Sequence, residues 1–235
     1  MVWTPQPMQV FTLDPFYATR RSGEPLSVTH RTVHPLGAKI LIELQDELLK
    51  QASDEWPKTQ PIVVYNSMMR GNAFQYRLIK ENKPRGIPTA VVGGSLHAFG
   101  LAVDIDVRGT MANINKAGLD ASFEEFRQYL AGMGAVGIQS EAWHFNLMLR
   151  PRYYEWAGWK LRDTLYSANW TGLTDEQKED LLTALGHVSA SLHTKTIEFQ
   201  SKYSDSLQID GKCGPKTTRA AYVEWAHANF QYVDF

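Results

Sequence analysis

Three stretches of the first 135 residues are predicted to form helices, and in two of them apolar side chains recur with the period of an amphipathic helix. In residues 35–52 they return every three or four positions, with acidic, amide and lysine side chains between them, so they share one helical face. Residues 72–82 allow a short helix that ends before Pro84. Residues 122–131 place three apolar side chains on one side of a further helix.

Three other stretches have the pattern of β-strands. Residues 61–65 form a short β-branched run that is typical of a buried strand. Residues 101–107 alternate apolar and acidic side chains, which predicts a strand with Asp104 and Asp106 on one face. Residues 144–149 are the third candidate. This order of elements predicts an α+β domain with a small antiparallel sheet.

The two ends of the chain differ from this central part. Residues 1–33 are rich in proline, threonine and aromatic side chains and predict an extended, partly irregular lead-in. Glycines within residues 132–137 predict turns. Composition shifts near residue 165, so we expect a domain of residues 1–165 followed by a small all-α domain of residues 166–235. The predicted helices of this three-helix domain span residues 175–185, 189–203 and 216–229.

Composition excludes several classes of function. The 235 residues are 43% hydrophobic and 21% charged, with a formal net charge of -1, so we expect neither nucleic acid nor a stable membrane association. The single cysteine, Cys213, cannot form an internal disulfide, and we interpret it as a packing or surface residue. No basic cluster followed by an apolar stretch begins the chain, so we expect no signal peptide.

Two short segments carry the residues that point to chemistry. The first contains His97, Gly100 and Asp104, and the second contains Glu141 and His144. Two imidazoles and one carboxylate suit a catalytic zinc ion, which keeps a fourth position open and needs a base nearby. A turn at Gly100 can bring His97 back toward Asp104. We therefore expect His97, Asp104 and His144 as metal ligands, and Glu141 as the base that takes a proton from the attacking water.

Alternatives remain at several of these positions. Asp106 competes with Asp104 as a ligand because both share the predicted strand face, and a lone histidine or aspartate is usually structural. Similar donors also bind Mn²⁺ or Co²⁺. Trp143 either seats the site or lines a substrate groove. The remaining histidines lack such a context and receive no metal role: His30, His34, His187, His193 and His227.

The two segments together match a known pattern. The matching positions are Ser95, His97, Gly100, Ala102 and Asp104, followed by Glu141, Trp143 and His144. In these positions the chain resembles the zinc D-Ala-D-Ala metallopeptidases of the M15 type, which include VanY-like carboxypeptidases and phage L-alanyl-D-glutamate endopeptidases. The resemblance covers about residues 35–150 and implies the same three zinc ligands and the same base.

The resemblance also implies residues that bind the substrate. Arg70, which follows the predicted strand 61–65, matches the arginine that binds or polarises the substrate carbonyl, and a surface salt bridge is its structural alternative. Gln75, Ser95 and Trp143 are the candidate substrate contacts.

A second resemblance lies near the C-terminus. Residues 207–217, with Asp210, Gly211, Gly214 and Pro215, resemble a turn of the peptidoglycan-binding three-helix domains. Such an anchor would tether the enzyme to an insoluble polymer.

A zinc peptidase joined to a wall anchor looks like a phage endolysin. Such an enzyme would hydrolyse peptidoglycan stem peptides or cross-links, and it would stay in the host cytoplasm until its release to the cell wall. We expect peptidoglycan as its partner and a monomer as its state. The alternatives are a D-alanyl-D-alanine carboxypeptidase, a virion-associated lysin and a non-catalytic zinc-containing wall-binding protein.

Overall fold

The computed structural model describes residues 5–147 and 172–234. Within them the chain mixes α-helices with short strands, which agrees with the predicted α+β class. The helices are α1 (Pro35–Gln51), α2 (Asn72–Asn82), α3 (Val107–Lys116), α4 (Phe123–Met133), α5 (Asp175–Ala184), α6 (Leu192–Lys202) and α7 (Pro215–Ala228). The strands are β1 (Gln9–Thr12), β2 (Thr32–Val33), β3 (Tyr65–Ser67), β4 (Ala102–Ile105), β5 (Ala135–Ile138), β6 (Glu141–Leu147) and β7 (Gln231–Tyr232). None of these helices is long and apolar enough to cross a membrane.

The strands form two small sheets. One has four strands in the order β3-β4-β6-β5, and each neighbouring pair is antiparallel. The other has three strands in the order β2-β1-β7. The predicted small antiparallel sheet is therefore present, and β4 and β6 are its two central strands.

The chain divides into two compact units, each built from segments that are distant in sequence. The helical unit comprises Met1–Met8, Arg70–Ala98 and Trp159–Gln231, and it contains α2 and α5 to α7. The sheet unit comprises Gln9–Met69, Phe99–Gly158 and Tyr232–Phe235. The predicted domain boundary near residue 165 lies outside the described residues.

The core of the sheet unit packs two helices on the four-stranded sheet. Leu41 and Leu44 of α1, Leu130 of α4, Val103 of β4 and Phe145 of β6 are all buried within one apolar cluster. Apolar burial of this kind is the main stabilising contribution to such a fold. The cluster fixes β4 and β6, which carry two of the predicted ligands.

The predicted strand over residues 101–107 is correct only as far as Ile105. Asp106 leaves the strand, because its carboxylate accepts a hydrogen bond from the backbone N–H of Gly109 at 2.9 Å and begins α3. The shared strand face predicted for Asp104 and Asp106 is therefore wrong. Asp106 serves as a helix cap, which removes it as the rival ligand.

Two further predictions from the pattern need correction. The buried strand expected at residues 61–65 begins only at Tyr65, in β3. Of the glycines expected to mark turns within residues 132–137, Gly134 does so at the end of α4, with a φ of +97°, whereas Gly132 lies within α4 and Gly137 within β5. The described part of the lead-in contains two short strands, β1 and β2, with the 3₁₀ helix Pro15–Ala18 between them, which agrees with an extended, partly irregular segment.

The turn that resembles peptidoglycan-binding domains is held by one buried amide. The Gln200 side-chain oxygen accepts hydrogen bonds from the backbone N–H groups of Asp210 and Gly211, at 3.1 and 3.0 Å. Its amide nitrogen donates to the Lys212 carbonyl at 3.2 Å. Gly211 has a φ of +70°, which favours glycine. These bonds give the turn a structural role in the helical unit.

Candidate metal centre

The three predicted metal ligands lie together. Asp104 on β4 and His144 on β6 are direct cross-strand partners. His97 lies in the 3₁₀ helix Leu96–Phe99. One possible ligand atom from each of the three residues lies within 4.8 Å of the other two. His97 and Asp104 are only 1% and 7% exposed and His144 is partly buried, so the group could hold a metal ion.

A glycine turn brings the chain from His97 into β4. Gly100 has a φ of +65°, in the left-handed region that L side chains rarely adopt. A Cβ at this position would lie 2.4 Å from the His34 backbone nitrogen and 2.8 Å from the Val33 carbonyl carbon. Both the conformation and the space therefore require glycine, which is the physical reason for this position of the motif.

Each ring nitrogen of His144 has its own partner. Nε2 lies 3.0 Å from Oδ1 of Asn146, and Nδ1 lies 3.1 Å from Oδ1 of Asp104. An amide oxygen only accepts hydrogen bonds, so Nε2 carries the proton in that contact. In the neutral imidazole, Nδ1 then presents its lone pair toward the Asp104 carboxylate. A nitrogen lone pair and a carboxylate oxygen are both electron-rich, so a cation bound to both would make this close approach favourable.

This arrangement identifies Asn146 as a site residue that the sequence reasoning missed. Asn146 follows His144 by two positions on β6, and residues two apart share a face of a strand. A polar side chain two residues after a predicted strand ligand was therefore the available signal. Its contact with Nε2 favours one orientation and one tautomer of the His144 ring.

The donor set fits the proposed type of metal. Two imidazole nitrogens and one carboxylate oxygen suit Zn²⁺, and they also admit Mn²⁺ or Co²⁺. An ion pair between a protonated His144 and Asp104 would account for only two members of the group. The convergence of His97 on the same point favours a cation with three protein ligands.

Glu141 lies beside this group. Its Oε2 is 3.8 Å from Nδ1 of His144, and its side chain is 39% exposed. In a regular strand, residues three apart point to opposite faces. Here the pairing of β5 with β6 shifts register, since Gly137 pairs with Phe145 whereas Ile138 pairs with Glu141. A bulge of this kind re-aims side chains and accounts for the approach of Glu141 to His144.

Trp143 lies within the same bulged segment. It is 48% exposed, so it does not form a buried seat for the ligands. Of its two predicted roles, lining a substrate groove is the one that an exposed indole can serve.

The remaining predicted site residues lie in the segment Arg70–Ala98 of the helical unit. The Arg70 backbone N–H donates to the His97 carbonyl at 3.1 Å, so a main-chain hydrogen bond joins Arg70 to the predicted ligand His97. Ser95 Oγ accepts from the His97 N–H at 3.3 Å, so it caps the 3₁₀ helix of His97. Gln75 is buried, and its amide nitrogen donates to the Ala90 carbonyl at 2.7 Å. Ser95 and Gln75 thus have structural partners already, and their predicted contacts with substrate stay predictions.

Comparisons of this chain with models of protein families, with curated proteins and with solved structures find no match.

Proposed function

We propose that this protein is a zinc metallopeptidase of the M15 type that hydrolyses peptide bonds in peptidoglycan stem peptides or cross-links. The convergence of His97, Asp104 and His144 within 4.8 Å, with Glu141 beside them, is the observation that carries the proposal. Buried donors alone would suit a structural metal. The partly exposed carboxylate next to them supports catalysis, because a structural site has no need of a base.

In this proposal the three ligands hold the metal and Asn146 holds His144 in the tautomer that leaves Nδ1 available. Zn²⁺, when bound, supplies Lewis acidity that polarises the scissile carbonyl and makes water a nucleophile at neutral pH. The burial of His97 and Asp104 excludes bulk water from the ligand side of the site. This low-dielectric setting strengthens every electrostatic interaction of the ligands.

Glu141 moves the proton. A carboxylate oxygen of Glu141 takes a proton from the attacking water as it adds to the carbonyl, and then gives it to the nitrogen of the leaving amine. Its partial exposure leaves it accessible to water and to a peptide substrate. Arg70 would stabilise the negative charge that develops on the carbonyl oxygen, or pair with a substrate carboxylate. Trp143 would line the groove.

Glu141→Gln tests this proposal. The amide cannot accept the proton, so we expect hydrolysis of purified peptidoglycan to fall by about 10²-fold or more while zinc affinity stays within about threefold. Glu124→Gln is the matched control, since Glu124 is an exposed carboxylate of the same unit, on α4. Unchanged hydrolysis by Glu141→Gln would remove Glu141 from the mechanism.

The products decide between the two peptidase activities that this site would serve. New peptide ends within the stems or cross-links identify an endopeptidase, and release of free D-Ala identifies a carboxypeptidase. The proposal favours the endopeptidase, because the C-terminal helices resemble an anchor for an insoluble polymer.

The biological setting belongs to the same proposal. An endolysin-type enzyme would accumulate in the host cytoplasm as a monomer and reach peptidoglycan after release, and host lysis would follow. Detection of the protein in purified phage particles would instead identify a virion-associated lysin.

A further inference from the structure

The C-terminal helices and the segment Arg70–Ala98 belong to the same compact helical unit, and α7 contacts that segment closely. The Asn72 amide nitrogen, at the start of α2, donates to the Ala220 carbonyl of α7 at 2.7 Å, and Asn72 is buried. Gly93 has a φ of +65°, and a Cβ there would lie 2.7 Å from the Ala220 Cα. The backbones therefore pack too closely for any side chain at Gly93. Such contacts are those of a shared core.

His227, near the end of α7, reaches the segment that carries a predicted metal ligand. Its Nε2 lies 2.8 Å from the carbonyl oxygen of Ala98, the residue directly after His97. A carbonyl only accepts hydrogen bonds, so Nε2 is the donor. The ring packs between Gly71, where a Cβ would lie 3.1 Å from Nδ1, and Phe230, whose ring centroid is 4.9 Å away. Burial lowers the pKa of His227, which favours the neutral ring.

The bond from His227 completes the anchoring of a very short element. The 3₁₀ helix Leu96–Phe99 has four residues, too few to hold its own geometry without support. Ser95 accepts from its His97 N–H, and the Arg70 N–H donates to its His97 carbonyl. His227 adds the donor for the next carbonyl along the chain.

We propose that His227 is a positioning residue of the metal centre, and that α7 thereby builds part of that centre. The hydrogen bond to the Ala98 carbonyl fixes the 3₁₀ helix and, through it, the direction of the His97 ring. The C-terminal helices then support the metal centre in addition to any role in binding the cell wall. This inference rests on the proposed metal centre, since it concerns how well His97 is held for the ion.

Competition titration of Zn²⁺ against a chromophoric chelator tests the inference on the full chain. The glutamine side chain of His227→Gln places an amide N–H about as far from the backbone as Nε2, so zinc affinity should stay within about threefold of the wild type. His227→Leu keeps the bulk and loses the donor, so affinity should fall by about tenfold or more. The matched control is His187→Leu, because His187 is another ring of the helical unit, packed edge-on against Phe199.

The melting temperature of each apoprotein shows whether the variant folds. The titrations are then made at a temperature at which every variant is folded, so that a loss of zinc affinity is not a loss of folding. If His227→Leu does not fold, His227→Asn carries the same prediction, since its amide is too short to reach the Ala98 carbonyl. Wild-type affinity in a folded His227→Leu or His227→Asn variant overturns the inference and leaves the metal centre intact. A wild-type chain that binds no Zn²⁺ overturns both the inference and the proposed function.

Discussion

His144 presents one nitrogen to an amide oxygen and the other to a carboxylate, and this difference determines what it can bind. The Asn146 contact at 3.0 Å assigns the proton to Nε2. Nδ1, 3.1 Å from Asp104, is then the nitrogen available to a cation. The chemistry of the site thus depends on a residue outside the recognised motif.

Asn146→Leu should weaken zinc binding by about 10–100-fold, because the ring loses the partner that orients it and selects its tautomer. Asn146→Asp keeps an acceptor at the same place and should stay within about threefold of the wild type. Chelator competition measures both affinities. Equal affinities in the wild type and the folded leucine variant would show that Asn146 does not position His144.

The motif glycine gives a prediction about stability. Gly100→Ala places a Cβ against the Val33 and His34 backbone at a φ of +65°, so the free energy of unfolding should fall by about 3 kcal/mol. Gly86→Ala is the control, because Gly86 has the same φ with open space around it, and it should cost about 1 kcal/mol. Urea denaturation measures both variants. Equal losses would show that the close backbone contacts of Gly100 add nothing to the conformational cost.

At the scale of elements, the start of α1 contains a titratable cap. The His34 ring nitrogen Nδ1 accepts a hydrogen bond from the Leu36 N–H at 3.2 Å, and the His34 N–H donates to the Gly100 carbonyl at 3.1 Å. Burial lowers the pKa of His34 to about 4. The same residue therefore caps a helix, supports the motif turn and resists protonation.

The lowered pKa of His34 predicts a loss of stability in acid. The unfolded chain protonates this ring near pH 6.5 and the folded chain near pH 4, so the unfolded state binds more protons between these values. The free energy of unfolding should therefore fall as the pH falls through this window, by about 3 kcal/mol from this residue. The asparagine of His34→Asn keeps an acceptor for the helix cap but does not titrate in this range. The variant should therefore lack the part of the fall in unfolding free energy that comes from His34. Denaturation at pH 7 and pH 4 compares the two, and equal changes would contradict the assignment.

The sequence predicted the elements whose ends carry strong local signals. Pro35 begins α1, and the predicted helix over residues 72–82 has the observed bounds of α2. α3 was missed because only three of its ten residues, Val107, Met111 and Ile114, are large and apolar, and its cap, Asp106, continues the alternation of β4. The strand β5 was missed because its glycine reads as a turn residue.

The candidate site was predictable as a set of residue types, whereas its geometry was not. Residue types, their spacing and the family resemblance together suggested the three candidate ligands and Glu141. The resemblance implied Asp104, but the strand pattern left Asp106 as a rival, which the cap of α3 removes. The approach of Glu141 to His144 required a register shift in β6. The register shift depends on pairing across the sheet, which a local pattern does not encode. The cap of α3 is a local hydrogen bond between Asp106 and Gly109, which the continued alternation of apolar and acidic side chains concealed.

At the scale of the whole molecule, the segment Arg70–Ala98 belongs to the same compact unit as the C-terminal helices. The sequence favoured one domain of residues 1–165 and a second of residues 166–235, because a shift in composition and a motif both describe continuous stretches of the chain. The hydrogen bond between Asn72 and Ala220 joins residues 148 positions apart, and a local sequence pattern does not predict such a bond.

This organisation predicts the effect of removing residues 172–235. A tethered anchor could be lost without harm to the hydrolysis of a small soluble stem peptide. If the C-terminal helices hold the 3₁₀ helix that carries His97, the truncated chain should lose zinc affinity. Its rate of hydrolysis of the soluble peptide should also fall by about tenfold or more. The His187→Leu variant of the full chain serves as control. Full activity of the truncated chain on the soluble peptide would support the separate anchor.

Above all, we propose that His97, Asp104 and His144 hold a catalytic metal for peptide hydrolysis. Mass spectrometry of the soluble products from purified peptidoglycan tests this most directly, with the protein untreated, stripped by a chelator and resupplied with Zn²⁺. We expect new peptide ends from the untreated protein, their loss after chelation and their return with zinc. Absence of new peptide ends in all three conditions would contradict the assignment.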